Sequence, residues 1–172
     1  VVAIGQWLAS RVRHLTRIAE QLGAKPETVL LREADSLLRS GRQREAAVVL
    51  KKIESQGTIA RATRIFLVEG WCRVGEYQHA LAASGVLLKR HDAPPSVHRV
   101  RAFCNLILER PAKAARCIHA IPAASLTAFD HHLLGVVALL ESDLRAAAGH
   151  FEEAADSPGW TEPSRMRRSS MP

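Results

Sequence analysis

The chain has 172 residues, enough for one domain, and 47% of them are hydrophobic while only 5% are aromatic. Such a composition supports a continuous core made mostly of Leu, Ala, Val and Ile. The net charge of +7 is compatible with nucleic acid, an acidic partner or anionic lipid, but its arginines are scattered over the chain, which favours a solvated surface. No apolar run reaches the roughly 18 residues of a membrane span, so no transmembrane segment is expected.

The cysteine and motif content argues against a secreted scaffold and against an enzyme. Cys72, Cys104 and Cys117 are odd in number, form no CxxC motif and fall in predicted helices, which is typical of thiols in a reducing compartment. We therefore expect a cytoplasmic or other reducing intracellular location. There is no Gly-rich phosphate loop, HExxH or GxSxG. His131 and His132 are adjacent, and adjacent helical residues point about 100° apart, so they do not converge on one metal. The sequence predicts no catalytic residue, no cofactor and no metal site.

Residues 1–25 are predicted to form an amphipathic N-terminal helix. Its apolar stripe consists of Ile4, Leu8, Leu15, Ile18 and Leu22. Gly23 is expected to end this helix, and Pro26 to start the next one. We expect the N-terminal helix to cover the exposed face of the first helical hairpin, because terminal repeats need capping.

From residue 26 onward, pairs of mostly small residues recur twelve positions apart. The pairs are Ala34 and Ala46, Val68 and Ala80, Ala102 and Ala114, and Gly135 and Ala147. Successive first members are 34, 34 and 33 residues apart. A period of this length is typical of stacked helical hairpins, and small side chains allow two helices to approach closely where they cross.

The period predicts four hairpins at about residues 27–57, 60–90, 95–122 and 127–157. Their internal turns are expected at Gly41, at Gly75, at residues 109–111 and near Asp143. Two prolines at 94 and 95 make residues 91–95 the clearest linker, with Ser96 as the expected N-cap of the next helix. Residues 159–172 are rich in Pro, Ser and Arg and are predicted to be a disordered basic tail.

The hairpins share a wider pattern of residues. The first supplies Leu30, Ala34, Leu37, Gly41, Ala46, Leu50 and Ile53; the second Gly75-Glu76-Tyr77, Ala80 and Leu87; the third Ala102, Ala114, Ile118 and Ile121; the fourth Leu134-Gly135, Asp143-Leu144, Ala147, Phe151, Ala154 and Pro158. This pattern resembles the tetratricopeptide repeat (TPR) family. The resemblance implies an all-α fold, an α-α superhelix of about four TPR-like hairpins with an extra N-terminal helix.

In that family the first helix of each hairpin lines a concave groove that binds a partner. The resemblance, carried over by register, makes these residues the candidates for partner binding: Leu31, Asp35, Ile65, Glu69, Arg73, Arg99, Phe103, Leu106, His132, Val136 and Leu139. The same register adds Ile107, Phe129 and Leu140. Leu31 and Asp35 occupy positions where chaperone-tail clamps of the family have Lys and Asn, so an acidic chaperone tail is not the expected ligand.

The predicted groove is mixed in its first half and apolar in its second. We expect Phe103 to be the central anchor, and Arg73 and Arg99 to favour an acidic residue on the ligand. Whether the apolar half is open to a partner, or is covered by the C-terminal tail or a neighbouring subunit, is left open by the sequence.

The expected function is that of a non-catalytic adaptor or scaffold, which binds a peptide or helical segment of another protein within a multi-subunit assembly. One alternative is a secretion-type chaperone for a hydrophobic partner. Another is a basic nucleic-acid-binding helical repeat protein, but nucleic acid is disfavoured because the chain lacks a basic-aromatic cluster for base stacking. The sequence does not indicate an oligomeric state.

Overall fold

The computed structural model describes residues 26–56, 59–89 and 93–156. The predicted N-terminal helix and the predicted basic tail lie outside the described residues. Within these three ranges all regular structure is helical and no strand occurs, which confirms the all-α prediction.

Eight α-helices follow one another along the described chain. They are α1 (Pro26–Arg39), α2 (Gln43–Glu54), α3 (Arg61–Arg73), α4 (Tyr77–Lys89), α5 (Pro95–Ile107), α6 (Pro111–His119), α7 (Ala128–Leu140) and α8 (Leu144–Asp156), with a 3-10 turn at Ala123–Ser125. The closest packing joins α1 to α2, α3 to α4, α5 to α6 and α7 to α8. The architecture is therefore a series of four packed helix pairs, as expected for an α-helical repeat.

All four pairs have the same backbone cap at the end of the first helix. The residue that makes the turn is left-handed, with φ of 71° at Gly41, 84° at Gly75, 55° at Glu109 and 64° at Ser142. The next residue donates its N–H to the carbonyl five residues earlier, at 2.8–2.9 Å in each case; these bonds join Arg42 to Leu37, Glu76 to Trp71, Arg110 to Asn105 and Asp143 to Ala138. This is the Schellman arrangement, which satisfies carbonyls that a helix end leaves without a partner. The left-handed residues are 34, 34 and 33 positions apart, so the backbone repeats with the same period as the small residues.

The residues spaced twelve apart lie at the helix crossings. All eight are buried: Ala34, Ala46, Val68, Ala80, Ala102, Ala114, Gly135 and Ala147. A close approach occurs at Gly135, where an added Cβ would lie 2.5 Å from Cε1 of Phe151. That distance is shorter than real carbon contacts, so the α7–α8 crossing requires a residue without a side chain.

The chain divides into two compact units between Ala93 and Pro94, inside the segment that the sequence marks as a linker. In the N-terminal unit, α3 packs against both α1 and α2. The largest fully buried side chains of the N-terminal unit are Leu50, Ile53, Leu67, Val68, Trp71, Ser84 and Leu87. A hydrogen bond from Thr63 Oγ1 to Glu27 Oε1, at 2.5 Å, also joins α3 to α1.

In the C-terminal unit, α7 packs against both α5 and α6. The buried cluster consists of Ala102, Ala114, Ile118, Ile121, Leu133, Leu134 and Val137. In each unit, the first helix of the second hairpin therefore packs against both helices of the first hairpin.

The start of α5 differs from the sequence prediction. The sequence predicts Ser96 as the cap of this helix, but the cap is Pro94 and Pro95 is the first helical residue. The prediction of Ser96 is wrong because a proline suits the first helical position. Its fixed φ matches the helix, and the N–H that it lacks would have no partner there.

No helix in the described part of the chain is long and apolar enough to cross a membrane.

Candidate partner-binding surface

The N-terminal unit carries the five predicted site residues of the first two hairpins on α1 and α3, which pack against each other. Leu31, Asp35, Ile65 and Glu69 are half-buried, and Arg73 is exposed. Asp35 forms an ion pair with Arg39, one turn further along α1, with 2.8 Å between Oδ2 and Nε. These two helices therefore offer apolar side chains beside charged ones.

The C-terminal unit carries the other six predicted site residues on α5 and α7, which also pack against each other. The large side chains left most exposed at the C-terminal ends of these two helices are Ile107 at 48%, Leu139 at 46% and Leu140 at 58%. Phe129, near the start of α7, is also exposed. All four occupy positions that the TPR register assigns to the groove. We call Ile107, Leu139 and Leu140 the apolar face.

The members of the apolar face lie at the C-terminal ends of α5 and α7. α5 and α7 are the first helices of successive hairpins, and they pack against each other. Ile107 is the last residue of α5 and Leu140 the last residue of α7, and they are 33 positions apart, one period of the repeat. The repeat therefore places equivalent apolar residues at the C-terminal ends of two packed helices.

Phe103 and Leu106 differ from the residues of the apolar face because they contribute to the hydrophobic core. Both are half-buried and pack against the buried cluster of the C-terminal unit. Val136 is half-buried as well. Phe103 is thus positioned to contact a partner only with its outer part, and its removal affects packing as well as binding.

The sequence predicts that Arg99 pairs with an acidic residue of the ligand, but its guanidinium is paired within the C-terminal unit. Its Nε donates to both carboxylate oxygens of Asp130 at 2.9 Å, and its Nη2 donates to the carbonyl of Ser125 at 2.5 Å. Asp130 is fully buried and also accepts hydrogen bonds from the N–H and the hydroxyl of Thr127, at 2.8 and 2.9 Å. A buried carboxylate needs a cation and hydrogen-bond donors to offset its lost hydration. Arg99 meets this need inside the unit, so the prediction that it serves an acidic ligand is corrected.

Sequence reasoning missed Asp130, although a signal for it exists. The residues Thr127 and Asp130 have the spacing of a capping box, in which an acidic side chain at the third helical position returns to the N-cap. That pattern indicates a helix start at residue 128 and a carboxylate in its first turn. It does not indicate the cation, since Arg99 lies 31 residues earlier.

Two histidines near the predicted surface are also constrained by their surroundings. The ring of His132 lies 5.4 Å, centroid to centroid, from that of Phe151 on α8, so it belongs partly to the α7–α8 contact. Burial, together with the guanidinium of Arg101, lowers the pKa of His98 on α5 below its usual 6.5. The shift favours the neutral form of the His98 side chain.

The structure also brings together three potential metal ligands that the sequence did not reveal. His131 on α7 meets His150 and Glu153 on α8. His132, the neighbour of His131, is not part of this group and lies instead against Phe151. The relevant partners of His131 instead come from the opposite helix of the same hairpin. We call His131, His150 and Glu153 the histidine–glutamate cluster.

No family model, curated protein or solved structure matches the chain. Its function is therefore inferred from the surfaces of the two units.

Proposed function

We propose that this chain is a non-catalytic adaptor or scaffold of TPR-like repeats whose C-terminal unit binds an apolar peptide or helical segment of another protein. The observation that carries the proposal is the apolar face. Ile107, Leu139 and Leu140 are each about half exposed, at groove positions of two packed helices. Grouped apolar side chains on a protein surface mark interaction sites more often than scattered ones do.

Three periodic features support the repeat assignment within this proposal. The small-residue crossings, the left-handed turn residues and the Schellman hydrogen bonds all recur every 33 or 34 residues. Because these features involve side-chain size, backbone conformation and hydrogen bonding separately, a common period is what equivalent structural units would produce.

The binding free energy available from the apolar face sets a minimum length for the partner segment. Burying the exposed half of three aliphatic side chains contributes about 1 kcal/mol each, or about 3 kcal/mol in total. Association itself costs at least about 4 kcal/mol in lost freedom. The partner segment must therefore extend beyond the apolar face, along α5 and α7 over Phe103 and Val136. An amphipathic helix or an extended apolar strand of polypeptide has this reach.

The aliphatic character of this face favours a protein partner over a nucleic acid, since aliphatic side chains make no use of phosphates or sugar hydroxyls. The secretion-type chaperone is a narrower form of the same proposal, in which the bound segment is the hydrophobic part of a client. An assembly subunit that docks by the same face is the broader form.

Photo-cross-linking in the native host tests the proposal and identifies the partner at the same time. A photoreactive phenylalanine analogue is placed at Leu140 and, in a matched control, at Val48. Val48 is 55% exposed on α2, the second helix of its hairpin, and is therefore outside the predicted groove. We expect Leu140 to capture a defined segment of another protein, and Val48 not to capture it.

The captured segment then serves as a synthetic ligand for titration calorimetry. Leu140→Asp should weaken its binding by about tenfold or more, whereas Val48→Asp should change it less than about twofold. Cross-links confined to the chain itself, or joining two copies of it, would show that the apolar face is already covered and would contradict the proposal. So would equal affinities of the two variants.

A further inference from the structure

The histidine–glutamate cluster lies between the two helices of the last hairpin. Nδ1 of His131 is 2.7 Å from Oε2 of Glu153, and Nδ1 of His150 is 3.5 Å from the same oxygen. One ligand atom from each of the three residues lies within 4.8 Å of the other two. His150 and Glu153 are three residues apart and so share a face of α8, and His131 reaches them from α7.

These distances suit a metal ion of the size of Zn²⁺. Bonds of about 2.1 Å in tetrahedral geometry separate the ligand atoms by about 3.4 Å. The observed separations run from 2.7 Å to no more than 4.8 Å, on both sides of that value. Small rotations of the three side chains would therefore bring the ligand atoms to coordinating positions without movement of either helix.

The environment of His131 is a second indication of a metal site. Its Nδ1 is buried and lies 2.7 Å from Oε2 of Glu153. A metal ion between these atoms would use the lone pair of this nitrogen, which is shielded from solvent. The other two residues are accessible: His150 is half-buried and Glu153 exposed, so solvent can deliver an ion.

We propose that His131, His150 and Glu153 bind one Zn²⁺ ion, which joins α7 to α8. Two imidazoles favour Zn²⁺ and its transition-metal neighbours over Ca²⁺ and Mg²⁺, which prefer oxygen ligands. Three protein ligands leave the fourth tetrahedral position to water. Because the ion binds the folded hairpin and not the unfolded chain, it stabilises the C-terminal unit. This site goes beyond the proposed adaptor function and does not depend on it.

Zinc titration of the whole chain by calorimetry, with thiol reductant present, tests the site. We expect one Zn²⁺ per chain, and a rise in Kd of about tenfold or more in Glu153→Gln and in His150→Ala. Glu152→Gln is the first control, since this exposed neighbour points to a different side of α8. His79→Ala is the second, since His79 lies 3.3 Å from Glu76 in the N-terminal unit but without a third ligand among the described residues. Both controls should bind zinc as the unchanged chain does.

Two further measurements distinguish a built site from chance binding. Hydrogen exchange should slow in α7 and α8 on adding zinc, and this protection should be lost in Glu153→Gln. Cobalt in place of zinc should give visible bands without the charge-transfer band of a thiolate ligand. Circular dichroism checks that the variants fold, which is expected because Glu153 is 59% exposed.

Several results would overturn the proposal. One is zinc affinity that stays unchanged in both Glu153→Gln and His150→Ala. Another is the absence of binding at millimolar zinc, and a third is a thiolate signature with cobalt. Each would show that the cluster is only an ion-paired contact between α7 and α8. None of them would affect cross-linking at Leu140, so the failure of this site is distinguishable from the failure of the adaptor proposal.

Discussion

In the N-terminal unit both hairpin turns have glycine at the left-handed position, whereas the C-terminal unit has Glu109 and Ser142 there. The two units nevertheless form the same Schellman cap, with the same hydrogen bond at 2.8–2.9 Å. A non-glycine residue in this conformation costs about 1–2 kcal/mol. The packing of the hairpins therefore imposes the turn, and glycine only lowers its cost.

The units also differ in where they place an acid–base pair. In the N-terminal unit, Asp35 and Arg39 pair along one helix at the surface, and the side chain of Arg39 is 77% exposed. In the C-terminal unit, Asp130 is fully buried and pairs with Arg99 from another helix. The two ion pairs therefore contribute differently to stability, because solvent screens the first pair whereas the second is enclosed in the protein interior.

The third difference concerns equivalent positions on the predicted groove. Arg39 and Arg73 in the N-terminal unit correspond by register to Ile107 and Leu140 in the C-terminal unit. Positions that face outward are free of packing constraints and can change from charged to apolar without altering the fold. This difference is why the proposed binding of an apolar partner segment is placed on the C-terminal unit.

The strongest destabilisation is expected at the buried ion pair. Asp130→Ala should destabilise the C-terminal unit by about 3 kcal/mol, the lower end of the range for a broken buried pair, because Arg99 retains 23% exposure. Asp35→Ala, the matched change in the N-terminal unit, should cost about 0.5 kcal/mol or less. Hydrogen exchange resolved by peptide measures each unit separately. Comparable losses in the two variants would contradict the contrast between the enclosed pair and the exposed one.

A smaller loss is expected at the α7–α8 crossing, where Gly135 lies against Phe151. Gly135→Ala should destabilise the C-terminal unit by about 1–3 kcal/mol, although alanine is the better helix former. The reason is that three atoms of the Phe151 ring lie 2.5–2.8 Å from the added Cβ. The measurement is chemical denaturation followed by circular dichroism.

Gly70→Ala provides the control from the N-terminal unit. There the added Cβ would meet the ends of the Leu50 side chain, at 2.9 and 3.1 Å, and these methyl groups can rotate away. We expect a change within about 1 kcal/mol, since the gain in helix propensity offsets part of the crowding. Equal destabilisation by the two substitutions would show that the aromatic ring is not what makes the α7–α8 crossing tight.

The weakest effects are expected at the turns. Ser142→Gly should stabilise the chain by about 0.5–1 kcal/mol, since relief of the left-handed conformation exceeds the added chain entropy. Gly75→Ser should destabilise it by a similar amount through backbone strain alone, because nothing lies within 4 Å of the position of its Cβ. Thermal unfolding of both variants checks the opposite signs. Two changes of the same sign would mean that the turns of the two units are not equivalent.

The helical hairpins, their period and the residues at their crossings could be predicted from the sequence. These features depend on local spacing and side-chain size, which a one-dimensional pattern records directly. Ala102 and Ala114 illustrate this, since a helix crossing excludes large residues wherever it occurs. The polar groove positions were harder to interpret, because a residue of the right register can face a partner or another helix.

The contacts between charged or metal-ligating side chains depend on how the helices pack, and they could not be predicted from the sequence. Arg99 and Asp130 are 31 residues apart, and His131 lies 19 positions before His150. Such meetings depend on how far each helix is rotated about its axis and how closely it approaches its neighbour. The repeat period leaves both quantities undetermined, because many rotations preserve the same spacing of apolar residues. The packing of α7 against α5 and α8 selects one of them, and that selection creates both the buried ion pair and the histidine–glutamate cluster.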